Sequence, residues 1–207
     1  MKNNVSKIFI FFLLKNMKNA VAVISPSHSK EVSGYIQFRQ VSKSKPVHLH
    51  FELSGFSPKQ VCAIHIHEFG DIREGCKSLG GHFNPFHKQH GNHTGDLFFN
   101  LKADENGNFI YDYVTEQISI FPVEKTSVIG RSVVIHSFTD DLGKQGREIQ
   151  GSFQLYKDMT ERLLRSFLRD AGEKFTTREN AVSYLNKMSK QTGNAGGRMA
   201  YGLIGIC

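Results

Sequence analysis

The sequence of 207 residues predicts an all-β fold, an antiparallel sandwich or barrel, with a helical hairpin inserted before its last strand. Three observations lead to this prediction. Between residues 19 and 157, short runs that alternate apolar and polar residues are separated by turn residues. The pair Asn106-Gly107 divides two of these runs and is a strong turn signal. From residue 158 to residue 190, apolar residues recur at helical spacing instead.

The strands are predicted in order from their period-two patterns and β-branched residues. The first is AVAVI, which begins at Ala20. The others are GYIQFRQV (34–41), VHLHFELSGF (47–56), AIHIHEFGD (63–71), the hairpin FFNLKADENGNFIYDYV (98–114) and SVVIHSF (132–138). After the helical segment, TGNAGGRMAYGLIGIC predicts a Gly-rich loop and a final strand.

Two helices are predicted in the insert. One face of the first helix collects four apolar residues, Leu163, Leu164, Phe167 and Leu168. Asp158 and Glu161 have the spacing of a capping box, and Gly172 suits the end of that helix. Thr176 and Glu179 repeat the box before the second helix.

We divide the chain into an N-terminal extension, residues 1–18, and one domain, residues 19–207, with the insert at about 147–191. The apolar run 8–14 and Ala20-Val21-Ala22 resemble a signal peptide, but Lys15 and Lys18 interrupt the approach to the cleavage site. Cleavage would also remove most of the first strand. We therefore expect a cytoplasmic protein with an uncleaved extension that is too short to span a bilayer, and secretion is the alternative.

Composition excludes several classes of protein. The net charge of +7 comes from scattered Lys and Arg residues, which form no basic and aromatic stripe, so we expect no nucleic-acid partner. Three cysteines, Cys62, Cys76 and Cys207, are too few for a disulfide scaffold and form no CxxC zinc motif.

Histidines provide the functional signal. His65 and His67 are one residue apart in a predicted strand, so both imidazoles point to one side of the sheet, where His136 can join them. Imidazoles suit copper and zinc. The loop SLGGHFNPFHKQHGNHTGDL holds four more histidines and Asp96. Such a cluster resists burial unless a cation organises it, so we interpret the loop as metal-bound rather than as a disordered polar loop.

Five blocks together resemble the copper–zinc superoxide dismutase family. They are IHIHEFGD, GCKSLGGHFNP, HTGDL, IGRSVVIHSFTDDLGKQG and TGNAGGRMAYGLIGI, in this order from about Ala20 to the end. The resemblance implies a Greek-key, immunoglobulin-like β-sandwich. It also implies copper and zinc as cofactors, and an enzyme that converts two superoxide anions to O2 and hydrogen peroxide.

The resemblance also assigns residues. The implied copper ligands are His65, His67, His82 and His136. The implied zinc ligands are His82, which bridges the two metals, with His90, His93 and Asp96. Asp140 matches the carboxylate that hydrogen-bonds ligands of both metals, and Arg198 matches the arginine that orients the anion beside the copper. His87 matches no ligand.

The sequence departs from the family pattern in three places. Cys76 matches one of the two cysteines that form the family's disulfide, but Tyr201 stands at the position of the other. Cys207 lies six residues further on, so we expect no disulfide. The segment between His90 and His93 is shorter than usual in the family. The insert, residues 147–191, occupies the loop that in the family carries charged residues around the substrate channel. We expect a solvated helical hairpin, with a lid or a docking surface as alternatives.

The resemblance further implies a homodimer. The family's contact segments correspond to Phe69-Gly70, Ile129-Gly130 and Ile204-Gly205-Ile206. Two alternatives to the enzyme remain. A non-catalytic protein that binds copper and zinc should lack Arg198 or a copper histidine, and a copper-delivery protein should carry a CxC thiol pair, which is absent from the sequence.

Overall fold

Eight strands form one antiparallel sheet in the computed structural model, which describes residues 17–27, 32–149, 152–169 and 175–207. The strands are β1 (Lys18–Pro26), β2 (Ser33–Gln40), β3 (Val47–Ser54), β4 (Val61–His67), β5 (Phe98–Lys102), β6 (Phe109–Thr115), β7 (Ser132–His136) and β10 (Arg198–Ile206). Their order across the sheet is β5-β4-β7-β10-β1-β2-β3-β6. A separate ribbon pairs β8 (Gly146–Ile149) with β9 (Ser152–Leu155).

The sheet curves into a nearly closed barrel. Strands β5 and β6 lie at its opposite edges, yet only residues 103–108 separate them along the chain, so the two edges must approach each other. The predicted hairpin between these strands is therefore wrong in its pairing, because β5 pairs with β4 and β6 pairs with β3. The turn at Gly107 packs instead against the end of β3, where the Phe56 N–H donates to the Gly107 carbonyl at 3.1 Å.

Alternation along the strands fills the barrel. In β3, for example, Val47, Leu49, Phe51 and Leu53 are buried in the core, while His48 and Glu52 face solvent. The period-two patterns of the sequence therefore predicted the inward faces of β2 and β3. Strand β7 is buried on both faces. On its outer side, the Ser132 hydroxyl donates to the Phe69 carbonyl at 2.7 Å, and the His136 ring lies against the rings of His65 and His67.

The insert has its own small core beside the barrel. A 3₁₀ turn (Tyr156–Asp158) leads into α1 (Glu161–Arg169), and α2 (Arg178–Thr192) precedes β10. The residues buried between these elements are Tyr156, Met159, Leu164, Leu168, Ala181 and Leu185. The ribbon β8–β9 in front of the helices was not predicted.

Both predicted helix starts shift. Asp158 belongs to the 3₁₀ turn, so Thr160 takes the capping position of α1, where its hydroxyl accepts from Leu163 N–H at 3.4 Å. Thr177 rather than Thr176 caps α2, and its side chain accepts from the Asn180 N–H. Helix α2 ends at Thr192, and Gly193 caps it with a left-handed φ of 65°. Gly172 lies outside the described residues.

The proposed signal-like run, residues 8–14, also lies outside the described residues. Strand β1 begins at Lys18, one residue before the predicted start of the domain. Within the described segments, no helix is long and apolar enough to cross a membrane.

Candidate metal centre

Three histidines project from neighbouring strands on the outer side of the barrel. Strand β4 places His65 and His67, and it pairs with β7, which ends at His136. Between the two histidines of β4, Ile66 points into the barrel core. His65 and His67 are 0% and 1% exposed, so the sheet buries both polar rings on the side opposite to the apolar core.

The Gly-rich loop of residues 80–96 lies along β4 and brings further ligands to these rings. The Phe83 N–H donates to the Ile66 carbonyl at 2.8 Å, and the Ile66 N–H donates to the Gly95 carbonyl at 2.9 Å. A Cβ at Gly95 has no room against the Ile66 carbonyl. This close backbone approach places the His82 ring 4.0 Å from the His65 ring, measured between centroids.

One group of four imidazoles converges at a single point. His65, His67, His82 and His136 each offer a ring nitrogen, and these four atoms lie within 4.8 Å of one another. The opposite nitrogens of three rings are held: His65 Nε2 by Asp140 at 2.9 Å, His67 Nδ1 by the Gly80 carbonyl at 3.0 Å, and His136 Nδ1 by the Gly196 carbonyl at 3.3 Å. These contacts fix which nitrogen of each ring faces the others.

The second group contains His82, His90, His93 and Asp96, again with ligand atoms within 4.8 Å of one another. Asp96 Oδ1 lies 3.0 Å from His82 Nδ1 and 3.5 Å from His93 Nδ1, and Asp96 Oδ2 lies 3.5 Å from His90 Nδ1. Oδ2 also accepts from the backbone N–H of Gly91 and His93 at 2.8 and 3.0 Å. The short segment between His90 and His93 therefore wraps around the carboxylate.

Asp140 connects the two groups. Its carboxylate lies 2.9 Å from Nε2 of His65 and 2.9 Å from Nε2 of His90. Burial alone would raise the pKa of Asp140, but the hydrogen bonds of these two histidines outweigh it and lower the pKa to about 2. The carboxylate is thus ionised at neutral pH and orients both rings.

The centre fits metal ions. The Nε2 atoms of His67 and His136 are only 3.2 Å apart, and His65 Nδ1, His90 Nδ1 and His93 Nδ1 are buried with no hydrogen-bond partner among the described residues. Buried polar atoms of this kind require a partner. Imidazole nitrogen suits copper and zinc, and three histidines with one aspartate suit tetrahedral zinc.

The protonation states of the histidines also fit a metal site. Burial is the largest cause that lowers the pKa of His67 and His136, and it lowers the pKa of His82 to about 3. Neighbouring imidazoles lower these pKa values further. The three rings are therefore neutral at pH 7, which is the form that binds a metal. For His90, burial would lower the pKa, but the hydrogen bond and charge of Asp140 raise it.

Arg198 lies beside the first group. It begins β10 and pairs in register with His136. Its guanidinium donates to the Cys76 carbonyl and, at 2.6 Å, to the Gly80 carbonyl, which also accepts from His67. Burial lowers its pKa from the usual value. A guanidinium has five N–H donors, which is more than these two contacts use.

The remaining residues singled out in the sequence lie outside these two groups. His87 is exposed with a left-handed φ of 53°. Cys76 is half-buried and its sulfur accepts from the Ser27 hydroxyl at 3.0 Å. Sequence reasoning missed the backbone carbonyls of Gly80 and Gly196 that orient the ligand rings, although the pairs Gly80-Gly81 and Gly196-Gly197 mark both segments as backbone that approaches other groups closely.

Comparison with known proteins agrees with this geometry. The family model for copper/zinc superoxide dismutase matches residues 32–156. The copper–zinc superoxide dismutase of Saccharomyces cerevisiae is 45% identical over 138 residues, 64% of this chain and 86% of that protein. The Humicola lutea enzyme is 33% identical over 196 residues, 92% of this chain and 99% of that protein.

A solved structure, the crystal structure of the clock protein EA4, has 33% sequence identity and a TM-score of 0.65, over 93% of this chain and 96% of that one. The matched family region includes all the histidines of both groups, and the longer alignments, which cover 92% and 93% of this chain, also include the insert. The chain belongs to the copper/zinc superoxide dismutase family.

Proposed function

We propose that this protein dismutates superoxide to O2 and hydrogen peroxide at a copper site and an adjacent zinc site that share one histidine. The observation that carries the proposal is the position of His82, which belongs to both four-residue groups. We assign copper to His65, His67, His82 and His136, and zinc to His82, His90, His93 and Asp96.

The free nitrogens support this assignment of ligand atoms. His65 offers Nδ1 because Asp140 holds its Nε2, whereas His67 and His136 offer Nε2 because backbone carbonyls hold their Nδ1 atoms. His82 offers Nδ1 on the side of Asp96 and Nε2 on the side of the other three rings. One imidazole can therefore face both metals at once.

Copper, when bound, supplies the reversible one-electron chemistry that zinc lacks. The protein controls protons. The depressed pKa of His82, about 3, keeps its ring out of the imidazolium form at pH 7, so the ring is neutral and its nitrogens can serve as ligands. A neutral imidazole carries one N–H, and with that proton on Nε2, on the side of the other three rings, His82 would hold a proton close to the substrate and would give it to superoxide as superoxide is reduced.

Arg198 binds the anion. Two of its N–H groups are fixed by the carbonyls of Cys76 and Gly80, so the guanidinium is held next to His67 and His136. A fixed positive charge at the entrance of a partly buried site attracts a small anion and orients it, which raises the encounter rate.

We also propose a two-fold symmetric homodimer. The three family contact segments, distant in sequence, meet on one face: Gly70 packs against the Gly130 carbonyl, and the Gly130 N–H donates to the Ile204 carbonyl at 2.9 Å. Phe69, Leu203 and Ile206 are 49%, 38% and 60% exposed around these contacts, whereas Ile204 is buried in the barrel. Exposed apolar side chains in one patch support a protein interface.

The test is superoxide consumption by protein whose copper and zinc content has been measured on the same sample. Activity should rise in proportion to bound copper and approach its maximum near one copper and one zinc per chain. Protein loaded with zinc alone is the matched control and should be inactive. Metal-replete but inactive protein would instead identify a non-catalytic metal-binding protein.

A further inference from the structure

The insert contacts a buried carboxylate that lies next to the metal centre. Asp141 is 4% exposed and accepts three side-chain hydrogen bonds: from the Tyr156 hydroxyl at 2.6 Å, the Ser189 hydroxyl at 2.8 Å and the Asn194 amide at 3.0 Å. Tyr156 and Ser189 belong to the insert. Neither residue has a part in the function proposed above.

Each of these two donors connects Asp141 to a buried part of the insert. The Tyr156 ring is fully buried in the insert core, so only its hydroxyl reaches out to the carboxylate. Ser189 is fully buried on the last turn of α2, and its oxygen also accepts from the Gln145 N–H at 2.9 Å. The surrounding contacts therefore fix the positions of both hydroxyls independently of their hydrogen bonds to Asp141.

The backbone at the end of α2 holds the same segment. The Gly193 carbonyl accepts from the Asp141 N–H at 2.8 Å. The α-carbon of Gly193 packs so closely on the Asp140 carboxylate that a Cβ at this position has no room. The residue that follows α2 thus contacts Asp140 directly through its backbone, and the insert contacts Asp140 indirectly through Asp141.

Asp140 carries these contacts to the ligands. The Asp141 carboxylate accepts hydrogen bonds from Tyr156 and Ser189. The neighbouring Asp140 carboxylate lies 2.9 Å from His65 and 2.9 Å from His90. Loss of a hydroxyl would leave a lone pair of the buried Asp141 carboxylate unsatisfied, and the segment would shift to regain a partner. Such a shift moves Asp140 and with it the rings of both ligands.

We infer that Tyr156 and Ser189 are positioning residues of the metal centre, which hold the Asp140 carboxylate in place through Asp141. The inference rests on the proposed assignment of His90 to zinc and of His65 to copper. In this role the insert sets the metal affinity and the geometry of the site through its contacts with Asp141. Neither a solvated hairpin nor a lid would have such a role.

The first measurement is the zinc affinity of metal-stripped protein, determined by competition with a chelator. Tyr156→Phe and Ser189→Ala should each weaken zinc binding by roughly 3- to 10-fold, at or below the low end of the effect of removing a direct partner of a ligand. Ser166→Ala is the matched control. Its hydroxyl donates to the Leu163 carbonyl within α1, away from Asp141, so zinc affinity should stay within about twofold of the parent.

A second measurement separates positioning from general stability. On an Asp140→Asn background, Tyr156→Phe should cause no further loss of zinc affinity, because the path through the carboxylate is already broken. Cobalt(II) bound in place of zinc should show a changed visible spectrum in Tyr156→Phe and Ser189→Ala but not in Ser166→Ala. Ser189→Ala removes a hydroxyl from a different element, α2, and serves as the second variant if Tyr156→Phe does not fold.

The outcomes are distinct. Unchanged zinc affinity in both variants, with a lower melting temperature, would overturn the inference and leave the insert a structural attachment. Equal losses from Tyr156→Phe on the parent and Asp140→Asn backgrounds would also overturn it. If the unmodified protein did not bind zinc, the assignment of the zinc ligands would fail, and this inference with it.

Discussion

His67 and Arg198 share one hydrogen-bond acceptor, the carbonyl oxygen of Gly80, which lies 3.0 Å from His67 Nδ1 and 2.6 Å from the guanidinium of Arg198. Gly80 has a left-handed φ of 74°, and a Cβ at this position would lie 2.7 Å from the Phe69 ring. Only glycine fits there. One peptide group therefore sets both the orientation of a proposed copper ligand and the position of the proposed anion-binding group.

Replacement of His67 by Ala should remove one copper ligand while His90, His93 and Asp96 keep their contacts. We expect superoxide consumption to fall by more than about 100-fold, because even groups that only support a ligand typically contribute 10- to 100-fold. Zinc content should stay near that of the parent. His48→Ala, on the exposed side of β3, is the control. Comparable activity in His67→Ala would show that the copper site is misassigned.

Replacement of Arg198 by Glu should place a negative charge where the anion must arrive. The rate should drop by about 10- to 1000-fold, and added salt should then raise the rate rather than lower it, because screening weakens repulsion. Arg198→Lys keeps the charge but not the paired N–H geometry, so its rate should fall less and keep the parent's response to salt. An unchanged rate for Arg198→Glu at low salt would mean that the anion enters elsewhere.

Much of the centre was predictable because strand geometry is local. The period of two aims His65 and His67 to one side of β4, and strand pairing adds His136. The pairing of β5 and β6 was not predictable from Asn106-Gly107, since that turn forms but its strands pair with β4 and β3. The contacts of Asp141 with Tyr156 and Ser189 join residues 15 and 48 positions apart, which no local pattern specifies.

Acid should destabilise the metal-free protein, beginning near pH 6.5. The folded-state pKa values of His67, His82 and His136 lie below their usual value of 6.5, that of His82 at about 3. Between the usual pKa and the lower folded-state pKa, each of these histidines is protonated in the unfolded chain but neutral in the folded protein. The unfolded chain therefore binds more protons, and each such histidine lowers the free energy of unfolding by up to about 1.4 kcal/mol per pH unit as the pH falls. His90 opposes this trend because its pKa is raised, and among the described residues no other histidine has a raised pKa.

Denaturant unfolding of metal-stripped protein at pH 7, 5.5 and 4.5 measures this effect. The midpoint should fall with pH throughout the range, and His82→Gln should reduce the slope because it removes one of the titrating groups. A flat profile between pH 7 and pH 4.5 would contradict the proposed neutral, buried histidines. The depressed pKa of Asp140, about 2, adds a further loss only below about pH 3.8.

A single charged side chain on the proposed contact face should dissociate the dimer. Ile206→Glu places a carboxylate on the face formed by Phe69, Gly130 and Leu203, and a two-fold axis would bring two such charges together. Light scattering should give a dimer mass for the parent and a monomer mass for this variant at micromolar concentration. Ile110→Glu, 69% exposed on the edge strand β6, is the matched control and should remain dimeric. A monomeric parent would contradict the proposed interface.

The last prediction concerns Cys76, which we expect to have no disulfide partner. Non-covalent contacts hold its segment instead: the Ser27 hydroxyl donates to the Cys76 sulfur at 3.0 Å, and the guanidinium of Arg198 donates to the Cys76 carbonyl. The Tyr201 hydroxyl lies beside Gly75, so this side chain fills space next to Cys76. Cys207 is exposed at the far end of β10.

A reductant should therefore leave the melting temperature of metal-replete protein within about 2 °C of its value without reductant. A disulfide contributes ~2–4 kcal/mol, which corresponds to roughly 4–16 °C in a chain of this size. Cys76→Ser keeps a hydrogen-bond acceptor for Ser27 and should behave like the parent. Removal of zinc should lower the melting temperature markedly, because binding to the folded state alone stabilises it by mass action. A fall of many degrees on reduction, lost in Cys76→Ser, would show that Cys76 is disulfide-bonded in solution.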